Sequence, residues 1–68
     1  MKQIKISTDI IKLSQFIKFS GFCQSGAEAK NLILNGRVKL NGELCSIKGK
    51  QLSKGDKVEI DEEILEVV

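Results

Sequence analysis

The stretch Ser25–Gly42, SGAEAKNLILNGRVKLNG, restricts the fold of this 68-residue chain more tightly than any other part of it. Ser25 and Glu28 have the spacing of a capping box. The serine hydroxyl can accept from the N–H of residue 28, and the Glu28 carboxylate can reach back to the N–H of residue 25. A helix therefore opens at Ser25. Asn35-Gly36 supplies its stop, because glycine enters the left-handed region without a Cβ clash. Val38 and Leu40 then alternate with Arg37 and Lys39, which predicts a half-buried strand over 37–40. Asn41-Gly42 between alternating segments predicts a hairpin turn. One face of this helix–strand unit is apolar (Ala29, Leu32, Ile33, Val38, Leu40), and its polar remainder offers Lys30, Arg37 and Lys39.

The flanking segments extend the pattern. Lys2–Ile6 alternates as a short strand. Ser7-Thr8-Asp9 is rich in capping residues, and Ile10, Leu13, Phe16 and Ile17 follow at helical spacing. A first helix should therefore start at about residue 10 and stop at Ser20-Gly21. The short link from Gly21 to Gln24 forces the two helices to cross and pack. Beyond the hairpin turn, Glu43–Cys45, Lys57–Ile60 and Ile64–Val68 read as strands, Asp61-Glu62 as a turn, and Lys48-Gly49-Lys50 and Lys54-Gly55-Asp56 as exposed turns. The expected architecture is a single α+β domain over residues 1–68. Two packed N-terminal helices lie against a small, mostly antiparallel sheet of four to five short strands.

Composition narrows the function. There is no histidine, so no Ser-His or Cys-His pair exists, and a lone thiol without a base is a weak nucleophile near neutral pH. No phosphate loop of Walker spacing occurs. Cys23 and Cys45 form no Cys-x-x-Cys motif and, without histidine, make a poor zinc set. They read as free thiols in a reducing compartment. Neither a catalytic residue nor a metal or cofactor is expected. No signal-peptide core opens the chain, and no apolar run approaches the roughly 20 residues that span a bilayer. The expectation is a cytoplasmic protein with no membrane partner.

The net charge of +2 conceals an asymmetry. Residues 1–57 hold all 11 Lys and Arg against four acids, whereas residues 58–68 hold five acids and no base. A body of +7 predicts a polyanionic partner. The start of the second helix carries free N–H donors, and Gly26 leaves them uncovered, so a phosphate can approach. Lys30 follows one turn later. Lys12 on the first helix, Arg37 and Lys39 on the strand, and Lys48 and Lys50 in the basic turn complete a candidate phosphate-tracking surface. Phe16, Phe19 and Phe22 are the only aromatics, and their spacing suits core packing. With no aromatic platform expected, base stacking of single strands is disfavoured, and recognition of folded RNA by shape and backbone remains. Two other readings stand beside it. One is a protein-interaction module that uses the acidic 59–66 segment as an exposed edge strand. The other is a helix-turn-helix DNA binder, although the helix after Ser25 carries only Lys30 as a base.

The chain resembles the S-four RNA-binding domain, named after small-subunit ribosomal protein four. The likeness runs from Lys12-Leu13 through Phe16-Ile17, Gly21, Ser25, Glu28-Ala29, Leu32-Ile33, Gly36-Arg37-Val38-Lys39-Leu40-Asn41-Gly42, Lys54-Gly55-Asp56 and Ile60. It is similar to the small stand-alone bacterial members, whose Gln-Ser-Gly-x-Glu-Ala-Lys is here Gln24 to Lys30. The resemblance implies an alpha-L RNA-binding motif that docks on structured RNA, ribosomal or transfer RNA, during ribosome assembly or quality control. The ribosomal subunit or its assembly proteins are further expected partners, and a monomer is the expected state. By position it places RNA contacts at Lys12, at Ser25 and Gly26, and at Arg37 and Lys39, so that Arg37→Ala and Lys39→Ala should each weaken binding without unfolding the domain. The chain departs from the family at Gly26, where many relatives have arginine, and at Ser14, where many have an acid.

Overall fold

The computed structural model describes residues 1–68. In chain order it comprises β1 (Lys2–Ile4), β2 (Ile10–Lys12), α1 (Leu13–Phe19), α2 (Gly26–Leu34), β3 (Val38–Leu40), β4 (Glu43–Leu44), β5 (Gln51–Ser53), β6 (Lys57–Ile60) and β7 (Glu63–Val67). Five strands form one sheet in the order β1-β7-β6-β3-β4, and β2 and β5 form a second sheet of two. All pairings are antiparallel except β1 with β7. One continuous core joins the layers. Leu13, Phe16 and Ile17 of α1 and Ala29 and Ile33 of α2 pack with Val38, Val58, Ile60, Leu65 and Val67 from the inner face of the sheet.

The helix–strand unit forms as its local signals predict. The Ser25 hydroxyl accepts from the Glu28 N–H at 3.2 Å and caps α2. The reciprocal bond from Glu28 to the Ser25 N–H does not form, so half of the capping box is present. At the other end, Gly36 takes φ +74°. Its N–H donates to Ile33 and the Arg37 N–H donates to Leu32, the paired bonds of a Schellman stop. Asn41 (φ 52°) and Gly42 (φ 88°) then make the two-residue turn between β3 and β4. The Asn41 amide also accepts from the Lys57 N–H at 2.9 Å and donates to Asp56 at 3.2 Å, while Asp56 accepts from the Ser53 N–H at 2.9 Å. That lock ties the Asn-Gly turn to the Gly55-Asp56 turn and fixes where β6 begins.

Three expectations need correction. The first helix starts at Leu13, not near residue 10. Ile10–Lys12 is instead strand β2, with Ile10 opposite Ser53, Ile11 opposite Leu52 and Lys12 opposite Gln51. The Thr8 hydroxyl donates to the Ile10 carbonyl and caps nothing. Tertiary pairing has overridden a helical spacing, because burying Ile11 and Leu52 against the core requires an extended backbone there. Second, there are seven strands, and the final strand is not an edge. β7 is paired on both sides, by β1 and β6, so the acidic segment offers no free strand. Third, of the three phenylalanines only Phe16 is fully buried; Phe22 is half-buried and Phe19 is 61% exposed.

Candidate RNA-binding surface

The six cations expected to meet RNA, of the chain's 11, fall into three groups, and the fold treats each differently. The first group sits where β2 turns into α1. Helix α1 has no side-chain cap. The first N–H groups of the helix are taken by the loop that precedes β5: Leu13 donates to the Lys50 carbonyl at 2.8 Å and Ser14 to the Lys48 carbonyl at 3.2 Å. The same loop is closed by a turn in which the Lys50 N–H donates to Ile47 at 3.1 Å. With its backbone carbonyls bound to the helix, the loop leaves the Lys48 and Lys50 side chains in solvent. Lys12 is the residue before Leu13 and is likewise exposed. The β2–β5 pairing thus gathers Lys12, Lys48 and Lys50 at one corner. None of the three has an acidic partner.

The second group lies on β3. Val38 faces the core, so Arg37 and Lys39 lie to the other side. The register sets Lys39 opposite Glu59, and it carries Arg37, one residue before Val38↔Ile60, alongside Asp61. Arg37 and Asp61 form a two-pronged ion pair, with Nε donating to Oδ1 at 3.1 Å and Nη2 donating to Oδ2. It is the only ion pair in the chain. Hydrogen bonding to Asp61, reinforced by its charge, pushes the Arg37 pKa further up. Asp61 (φ 48°) and Glu62 (φ 77°) are the central residues of the β6–β7 turn. This left-handed turn, built without glycine, aims the carboxylate at β3.

The third group is the start of α2. Gly26 is the first helical residue, and a Cβ added there would meet nothing within 4 Å, so the space in front of the helix is open. The Ser25 hydroxyl is committed to its cap, and Glu28 places a negative charge in the first turn. Lys30 is exposed and unpaired. No group of three or more His, Cys, Asp or Glu is arranged to hold a metal ion. Both cysteines are free, and burial, followed by the nearby Glu28, pushes the Cys23 thiol pKa up. No helix is long and apolar enough to cross a membrane.

Sequence reasoning found the basic turn at 48–50 and the cations of β3. It missed that Lys12 meets the basic turn, since β5 is three residues long and its partner strand carries helical spacing. It also missed the acids opposite β3, although the Val58 and Ile60 alternation was a signal that could have aligned β6 with β3.

Comparison with known proteins agrees with this architecture. The S4 domain family matches residues 4–68. A Bacillus subtilis protein with the name "Probable ribosome maturation protein RlbA" is 40% identical over 58 residues, which is 85% of this chain and 82% of that relative. Among solved structures, the crystal structure of the 30S ribosomal protein S4e from Thermoplasma acidophilum superposes with a TM-score of 0.64 at 22% identity. That overlap covers 85% of this chain and 31% of the archaeal protein, so the chain spans about a third of its length.

Proposed function

The chain belongs to the S4 domain family, and from that premise we propose that it binds structured RNA, ribosomal RNA in particular, without catalysing a reaction on it. Its place is in ribosome maturation, as the name of its Bacillus subtilis relative suggests, and a role on ribosomal RNA puts it in the cytoplasm. The observation that carries the reading is the corner where backbone pairing brings Lys12, Lys48 and Lys50 together, none of them in an ion pair. Three unpaired ammonium groups on hydrogen-bonded backbone are suited to phosphates of a folded strand, and phosphate contacts position a protein on nucleic acid. The helix pair and the following hairpin act as an alpha-L motif. The open start of α2, with Ser25, Gly26 and Lys30, and the β3 cations Arg37 and Lys39 add weaker contacts at its margins.

Affinity for ribosomal RNA, transfer RNA and duplex DNA across a salt series tests the reading. Each phosphate neutralised contributes a slope of about −0.7 to −0.9 in log K against log salt. Tight, steeply salt-dependent binding to ribosomal RNA, reduced in Lys48→Ala/Lys50→Ala, is the expected result. Weak binding to all three nucleic acids, with no slope, would sink it.

A further inference from the structure

The exposed aromatic side chain of Phe19 has no role in the core or in the lysine corner. It lies on α1 at a definite place. Gln15 and Phe19 are four residues apart on α1 and so share one flank of the helix, and Lys12 is the strand residue that leads into it. Phe19 is 61% exposed and Ile10 is 50% exposed. The two line one shallow depression together with Gln15, Thr8, Ser7 and Ile6. Ile10 and Lys12 lie two apart on β2 and so point to the same side of the strand. The depression therefore begins beside one of the unpaired lysines and runs down the helix. The helical rise is about 9 Å from Leu13, the residue after Lys12, to Phe19, within reach of a neighbouring nucleotide.

Its chemistry is that of a base-binding surface. Phe19 and Ile10 give the depression exposed apolar area, and its lining also offers an amide at Gln15 and a hydroxyl at Ser7 that can meet the polar edge of a base. No acidic side chain lines it. We propose that this flank of α1 seats one unpaired nucleobase of the bound RNA, stacked on Phe19, next to a phosphate held at the Lys12, Lys48 and Lys50 corner. This deepens the RNA-binding reading and rests on it. It replaces recognition by backbone alone with recognition of a backbone next to an extruded base, which is how folded RNA exposes sequence information.

The chain has no tryptophan and no tyrosine, so Phe19→Trp would introduce a single fluorophore at the seat. Phe19→Leu keeps apolar bulk at an exposed position and removes the ring. Both variants would be titrated with ribosomal RNA and with a fully paired RNA duplex at one salt concentration, after thermal melts confirm a parent-like fold. Ribosomal RNA is expected to quench the fluorescence of the introduced indole saturably, while the duplex binds without quenching. Phe19→Leu is expected to weaken ribosomal RNA binding by about fivefold to 100-fold, the range seen when a stacking aromatic is removed, and to leave duplex binding unchanged. Parent-like binding of both RNAs by Phe19→Leu, or an equal loss on both, would overturn the seat while leaving the RNA-binding reading in place. Failure of the parent chain to bind either RNA would overturn both.

Discussion

The lysine corner at the start of α1 and the cationic face of β3 have similar charge and opposite surroundings. At the corner, Lys12, Lys48 and Lys50 are brought together by backbone pairing, and no carboxylate comes near enough to pair with them. On β3, the same sheet register that orders the strand also delivers Glu59 opposite Lys39 and Asp61 onto Arg37. The acidic C-terminal residues, which reduce the net charge to +2, thus act on the sheet and not on the corner. Which cations can receive a phosphate is decided by register, and composition alone does not reveal it.

That contrast predicts an order of mutational effects on RNA affinity. Lys48→Ala/Lys50→Ala should have the largest, a loss of about tenfold or more at moderate salt with the salt slope shallower by roughly 1.4 to 1.8, because two phosphate contacts go. Lys12→Ala should follow, with a slope change of about 0.7 to 0.9 for its single contact. Arg37→Ala should cost less than about fivefold, since the guanidinium is already engaged with Asp61 and gives up less to a phosphate. Asp61→Asn sharpens the point: by releasing Arg37 it should raise affinity a few-fold, and this gain should vanish in the Arg37→Ala background. Filter binding or fluorescence anisotropy reads all of these. If Arg37→Ala proved more damaging than Lys48→Ala/Lys50→Ala, the contrast would be reversed and the centre of the surface would move to β3. Lys39→Ala should have the smallest effect, within about twofold, because Glu59 opposite it offsets its charge.

The two helix starts show how much of this was legible. Helix α2 is written locally: a serine cap, an Asn-Gly stop and an Asn-Gly turn each act within a few residues, so helix, strand and hairpin could be placed from the sequence. Ser25→Ala should accordingly cost about 1 kcal/mol of stability, measured by denaturant melts, because a side-chain cap is lost. Helix α1 is written at long range. Its cap is supplied by the carbonyls of Lys48 and Lys50, far along the chain, and Ile10-Ile11-Lys12 has a helical spacing that pairing with β5 overrules. The basic turn could be read, but not its contact with Lys12. Strands β1 and β7 could both be read, but not their parallel pairing, which covers the outer side of β7 and removes it as an edge. Phe19 has a spacing from Phe16 and Phe22 that suits core packing; only the direction of α1 against the sheet shows that its ring faces water.

The most direct test of the lysine corner is the salt dependence of ribosomal RNA binding by the triple variant Lys12→Ala/Lys48→Ala/Lys50→Ala, compared with the parent chain and with Arg37→Ala/Lys39→Ala. If the corner holds the RNA, the triple variant loses about 2 to 2.7 from the slope of log K against log salt and most of its affinity, while the β3 double variant keeps nearly the parent slope. A triple variant that remains folded and binds with the parent's affinity and slope would contradict the claim that this corner holds the RNA.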